Sequence, residues 1–166
     1  MYTKIVGIVL IIALSLTSCL KPEVFPNEPA ILFESIVIMG DSADLTISFV
    51  DGDGDIGLTT SDTTGDFHSS QKYHNNLFIE YYEKDDINGW QRGKNLSGED
   101  ISFLYRVPYL TPNGQNKALK GEIKVTMEPS YFNPLSSQSD TVKFKIYLVD
   151  KRFNESNVVE SNVITR

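Results

Sequence analysis

Alternation of apolar and polar side chains constrains this chain more than any other feature. In Leu45-Thr46-Ile47-Ser48-Phe49 the apolar residues take one face and the hydroxyls the other. Ile123-Lys124-Val125-Thr126-Met127 and Val142-Lys143-Phe144-Lys145-Ile146-Tyr147-Leu148 repeat the pattern. A period of two predicts strands with one buried face, because successive side chains of an extended backbone point to opposite sides. Ile101–Val107 alternates aromatic and aliphatic residues against Ser102 and Arg106. Ala30–Met39 and Leu77–Glu83 are β-branched and aromatic runs, apolar in part on both faces, which predicts central or two-sided strands. Val158–Thr165 adds a final pair of short β segments. No apolar stripe at helical spacing persists past two turns, so very little helix is expected.

Turn signals separate these runs. Gly40-Asp41 divides the first two, and Pro112-Asn113-Gly114 marks another break. Asn88-Gly89 predicts a type I′ hairpin that sets Trp90 opposite the strand ending near Lys84. About seven strands with such breaks predict an all-β domain, an antiparallel β-sandwich of immunoglobulin or fibronectin III type. With one Cys in 166 residues there is no Cys…Trp…Cys core of the antibody kind, no internal disulfide and no Cys-rich zinc framework. A net charge of −7 argues against a polyanionic partner such as nucleic acid.

The first residues belong to a different kind of segment. Lys4 precedes Ile5–Leu16, an uncharged run of 12 residues. That suits a signal peptide and falls short of the roughly 20 apolar residues that span a bilayer. The run ends in Leu16-Thr17-Ser18-Cys19, which resembles the lipobox of bacterial lipoproteins. The resemblance implies cleavage before Cys19 and acylation of its sulfur, an anchor worth about 0.8 kcal/mol per buried methylene. Leu20, where Asp would retain such a protein at the inner membrane, points to the outer membrane. Residues 20–29 hold three prolines and read as an extended tether. The chain therefore divides into a signal peptide (1–18), a lipidated tether (19–29) and a sandwich domain (30–166).

The most distinctive string is Asp51-Gly52-Asp53-Gly54-Asp55-Ile56-Gly57, directly after the Leu45–Val50 strand. Three carboxylates at alternate positions of a Gly-rich loop can converge on a hard cation. The loop is not an EF-hand: Ile56 stands where Gly is needed, Asp62 replaces the twelfth-position Glu, and no helix flanks it. If Leu45–Val50 is strand B and Thr141–Val149 strand F, the B–C and F–G loops share one end of the sandwich. Asp51, Asp53 and Asp55 then lie near Asp150, with Asn154 and Asn157 within approach, as an oxygen cluster for Ca²⁺. The alternative is a rigid turn whose carboxylates accept backbone N–H bonds without an ion.

Other candidates carry less. His68 and His74, with Asp62 and Asp66, match no ligand spacing and read as a solvated loop. Trp90, Tyr81, Tyr82, Phe103, Tyr105 and Tyr109 are either core residues or a sugar-stacking platform. Gly-x-Ser-x-Gly, Gly-x-x-x-x-Gly-Lys and His-Glu-x-x-His motifs are absent, which leaves hydrolase, nucleotide and zincin readings unsupported.

Lipobox, proline tether, the DGDGDIG string and the closing Tyr147-Leu148-Val149-Asp150 and Asn154-Glu155-Ser156-Asn157 together resemble small lipoproteins of Bacteroidota, a largely uncharacterised group. The resemblance implies an immunoglobulin-like sandwich in a Gram-negative envelope. It also marks Asp-Ser/Thr acceptor patterns for O-glycosylation at Ser42, Thr63 and Thr141. The reading that follows is a non-enzymatic, lipid-anchored binding or assembly module with a Ca²⁺-stabilised loop. Its expected partners are the membrane through its anchor, and another envelope protein or a glycan. The alternatives are a carbohydrate-binding accessory of an outer-membrane uptake system and a glycan-processing enzyme.

Overall fold

The computed structural model describes residues 25–112 and 117–166. The signal segment, Cys19, residues 20–24 of the tether and the Asn113-Gly114 turn lie outside the described residues. Nine strand segments follow in order: β1 (Ala30–Met39), β2 (Ser42–Asp51), β3 (Leu77–Asp85), β4 (Gly89–Arg92), β5 (Ser102–Tyr105), β6 (Leu119–Met127), β7 (Thr141–Leu148), β8 (Val159–Glu160) and β9 (Ile164–Thr165). One sheet has the order β1-β2-β6 and the other β4-β3-β7-β8, with β5 also on β3 and β9 also on β7. Every ladder is antiparallel. Among the described residues helix is confined to two single 3₁₀ turns, Gly65–Phe67 and Lys72–His74. The molecule is an all-β sandwich.

The predicted alternation becomes the core. Along β7, Val142, Phe144, Ile146 and Leu148 are buried, while the lysines and Tyr147 between them are half-buried on the outer face. They meet Leu77, Ile79 and Tyr81 of β3, and across the sandwich Leu45, Ile47 and Phe49 of β2 with Ile123 and Met127 of β6. Each such side chain contributes roughly 1.5–3 kcal/mol by leaving water.

Three expectations about strands change. β3 is central, flanked by β7 on one side and by β4 and β5 on the other, but β1 is an edge strand whose ladder partner is β2. Its two-faced apolar pattern comes from a register shift between Phe33 and Ser35. One extra residue reverses the parity of the strand, so Ile31 and Phe33 face the core before the shift and Ile36 after it. Leu32, Val37, Ile38 and Met39 are left exposed. The hairpin after β3 does set Trp90 against Lys84, but its turn is not type I′. That turn needs two positive φ values, and Gly89 has one (73°) while Asn88 does not. Instead Asp85 pairs with Gly89 around a three-residue loop, and the Asp85 carboxylate accepts N–H bonds from Ile87 (2.9 Å) and Asn88 (2.6 Å). Finally, β5 ends at Tyr105 rather than continuing to Val107. The Arg106 guanidinium donates to the carbonyls of His74, Thr59 and Asp62, and the Val107 N–H donates to Asn76 Oδ1 (2.6 Å).

The last lane contains a device absent from the strand reading. Glu155-Ser156-Asn157-Val158-Val159 is followed at once by Glu160-Ser161-Asn162-Val163-Ile164. Both serines are buried and do the same thing. Ser156 N–H donates to Leu148 O (2.8 Å), and Ser156 Oγ accepts from Leu148 N (2.9 Å) and donates to Asn157 O (2.8 Å). Ser161 repeats this with Phe144 and Asn162. Each repeat spends five residues against four of β7, so a bulge recurs where the hydroxyl substitutes for a backbone acceptor.

Candidate functional site

The end of β2 and the exit of β7 meet at one end of the sandwich, as the strand B and strand F assignment requires. β2 closes on Asp51, which is fully buried. Its Oδ2 accepts N–H bonds from Asp55 (2.9 Å) and Ile56 (3.3 Å), which curls the loop back over its own first residue. This turn brings one oxygen each of Asp51, Asp53 and Asp55 within 4.8 Å of one another. Oδ1 of all three is buried and has no hydrogen-bond partner among the described residues.

Asp150 stands beside this triad but its oxygens are committed elsewhere. Oδ1 accepts from Arg152 N (2.8 Å) and Asn154 N (2.8 Å), and Oδ2 from Asn154 Nδ2 (2.7 Å). It therefore builds the loop after β7, and its charge reaches the triad through space. Asn154 takes part through Asp150. Asn157 does not approach: its amide bonds both backbone groups of Ile31, at 2.8 Å from the N–H and 2.9 Å to the carbonyl, and so joins β1 to the last lane. Asp62 is also absent from the cluster, since it accepts from Thr59 and pairs with Lys151 (2.9 Å).

Crowded carboxylates are hard to ionise together. Burial pushes the Asp55 carboxyl up to about 7, with Asp150, Asp53 and Asp51 adding like-charge repulsion. Burial, then Asp53, also raises Asp51, against the two N–H bonds it accepts. Asp62 goes the other way: burial raises it, but Lys151 and Thr59 outweigh that and hold it down at about 2.

Arg152, which the sequence reading did not single out, is the cation paired with these carboxylates among the described residues. Its guanidinium pairs with Asp53 Oδ2 through Nη1 and with Asp55 Oδ2 through Nε (3.3 Å). The only sequence signal was a basic pair, Lys151-Arg152, directly after Asp150 in an acidic chain. The tether contributes too. Gly52 N–H donates to Pro26 O (2.8 Å), and the chain at Phe25 lies so close that a Cβ on residue 52 would overlap its carbonyl. Gly is required there for that approach. Asp53, Gly54, Asp55, Tyr109, Pro112, Lys117 and Arg152 enclose a recess of about 310 Å³.

The remaining candidates disperse. His68 bonds Ser70 (3.0 Å) and His74 bonds Phe67 O (3.2 Å), so neither ring is aimed at a shared ion. Tyr81 lies in the core, and Phe103 packs partly buried against Phe144. The Tyr105 hydroxyl donates to Thr126 O (2.7 Å). Trp90 and Tyr82 are half-buried, with Lys143 at 4.8 Å and Lys145 at 5.0 Å over their rings, so each ring has a cation on one face. Thr63 is exposed, Ser42 donates to Met39 O (3.0 Å) and Thr141 opens β7 opposite Thr165.

Fold and site together define an all-β sandwich with a carboxylate-lined tip. No family model, curated protein or solved structure matches the chain.

Proposed function

We propose that this chain is a lipid-anchored domain of the outer membrane, of immunoglobulin or fibronectin III type, whose Asp51–Asp55 loop binds Ca²⁺ and thereby sets the shape of a loop surface used for binding or assembly. Two observations carry this reading: the carboxylates of Asp51, Asp53 and Asp55 converge, and each keeps a buried Oδ1 without a hydrogen-bond partner among the described residues. A buried acceptor left unmade costs about 1–3 kcal/mol, more when it carries charge, so three close together favour the binding of a cation. Carboxylate oxygens within 4.8 Å of one another are close enough to share one hard cation such as Ca²⁺, whose ligands stand at about 2.3–2.6 Å. The strand order β1-β2-β6 against β4-β3-β7-β8 supports the immunoglobulin or fibronectin III type. Acylation of Cys19 rests on the Leu16–Cys19 motif.

Calorimetry and thermal melting with Ca²⁺ test the ion. The wild type should release binding heat and melt at a higher temperature with Ca²⁺, and Asp53→Asn should lose both responses. A wild type without heat or melting shift leaves a rigid acidic turn and removes the reading.

A further inference from the structure

Resting on that reading of anchor and ion, we propose that the Asp51–Asp55 end of the sandwich lies against the lipid layer, where the bound cation bridges the carboxylates to phosphate groups of the lipid headgroups.

Chain geometry sets which end is near the anchor. Phe25 and Pro26 lie on Gly52, inside the carboxylate loop itself. Cys19 precedes Phe25 by six residues, and six residues reach at most about 20 Å. The opposite end is remote: β3 leaves the site end at Leu77, paired with Leu148, and reaches the hairpin at Asp85 about 26 Å further on. An acyl chain on Cys19 thus puts the acidic loop, rather than the Ile87 hairpin, within easy reach of the bilayer, and the bound cation is what fixes it there.

The chemistry of that end fits a phosphate surface once a cation is present. Three carboxylate oxygens leave unfilled several of the roughly six to eight positions around Ca²⁺. Asp53 and Asp55 open into the recess, where a phosphate oxygen can complete the shell, and Lys117 and Arg152 on its wall are phosphate donors. Tyr109 (37%) on the recess wall is exposed, as are its chain neighbour Leu110 (39%) and Phe153 (38%), which directly follows Arg152. Phe153 is stacked on Phe67 (5.4 Å) and tilted on Tyr73 (4.8 Å), which gives an aromatic patch suited to the headgroup boundary. Without the cation, the uncompensated carboxylates repel the phosphates, so the contact depends on the ion.

The test uses the full lipidated chain in vesicles of phosphatidylethanolamine and phosphatidylglycerol. With Cys19 acylated as proposed, a cysteine introduced by Leu110→Cys or Ile87→Cys is the one free thiol and accepts a fluorophore. With Ca²⁺ and a headgroup-bearing spin label, the probe at position 110 should be quenched severalfold more than the probe at 87. Chelation, Asp53→Asn, and vesicles of a phosphate-free galactolipid should each abolish the difference. Equal quenching at both positions, stronger quenching at 87, or a difference that survives chelation or the galactolipid overturns the proposal. Acylation by mass spectrometry and Ca²⁺ binding by calorimetry are measured on the same preparations. If either is absent, the underlying reading falls and this proposal with it. If both are present and position 110 is unquenched, only the membrane-facing placement is wrong.

Discussion

Asp55 and Arg152 divide the control of the site between them. Burial and three neighbouring carboxylates raise Asp55 to about 7, so the folded chain holds a proton there that the unfolded chain releases near 4. Stability from this group is complete below about 4 and is lost as pH rises through about 7. The ion-free melting temperature should therefore fall across that window, and saturating Ca²⁺ should remove the fall. Asp55→Asn should flatten the profile, and raise the ion-free melting temperature above pH 7 by about 2–4 °C for each kcal/mol of repulsion relieved. Arg152 neutralises two of the same carboxylates with an exposed guanidinium. Arg152→Gln should tighten Ca²⁺ binding by roughly fivefold in a titration, because a competing exposed ion pair of about 1 kcal/mol is gone. The Asp string was plain in the sequence because its three carboxylates lie on one loop. Arg152 was not, because its role appears only when the loop after β7 folds back across the sandwich, and Asn157 was misplaced because a bulge turns its amide towards Ile31.

Among the elements, β7 was legible end to end and β2 from Leu45 onward: alternation holds where one face is buried, and it fails over Ala43-Asp44-Leu45, where three consecutive residues are buried. β1 and the last lane were less so, since each bulge reverses parity and erases the pattern that a period of two relies on. The tandem Ser-Asn pairs explain why β8 and β9 stay so short. Ser161→Ala leaves the buried Phe144 N–H without its acceptor and should cost about 1–3 kcal/mol, read by denaturant titration, with faster hydrogen exchange at Phe144. Ser156→Ala should act alike at Leu148. Asn157→Ala frees both backbone groups of Ile31 and should speed exchange along the first half of β1, while the Ile36–Met39 half remains held by β2.

At the level of the whole molecule, the site and the Trp90 hairpin occupy opposite ends of β3. Ca²⁺ should slow hydrogen exchange in residues 52–57 and 150–154 and leave residues 85–90 unchanged, with Trp90 emission constant through the same titration. A hairpin that responds as strongly as the loops would mean that the sheets transmit the binding event. The contact of Pro26 with Gly52 has a mechanical consequence as well. Tension applied from the N-terminal side arrives at Phe25 and Pro26 before it reaches Ala30 and the β1–β2 ladder. Drag on the domain is therefore borne first by the aspartate loop, and the stiffness of that short stretch decides whether the outermost strand begins to peel.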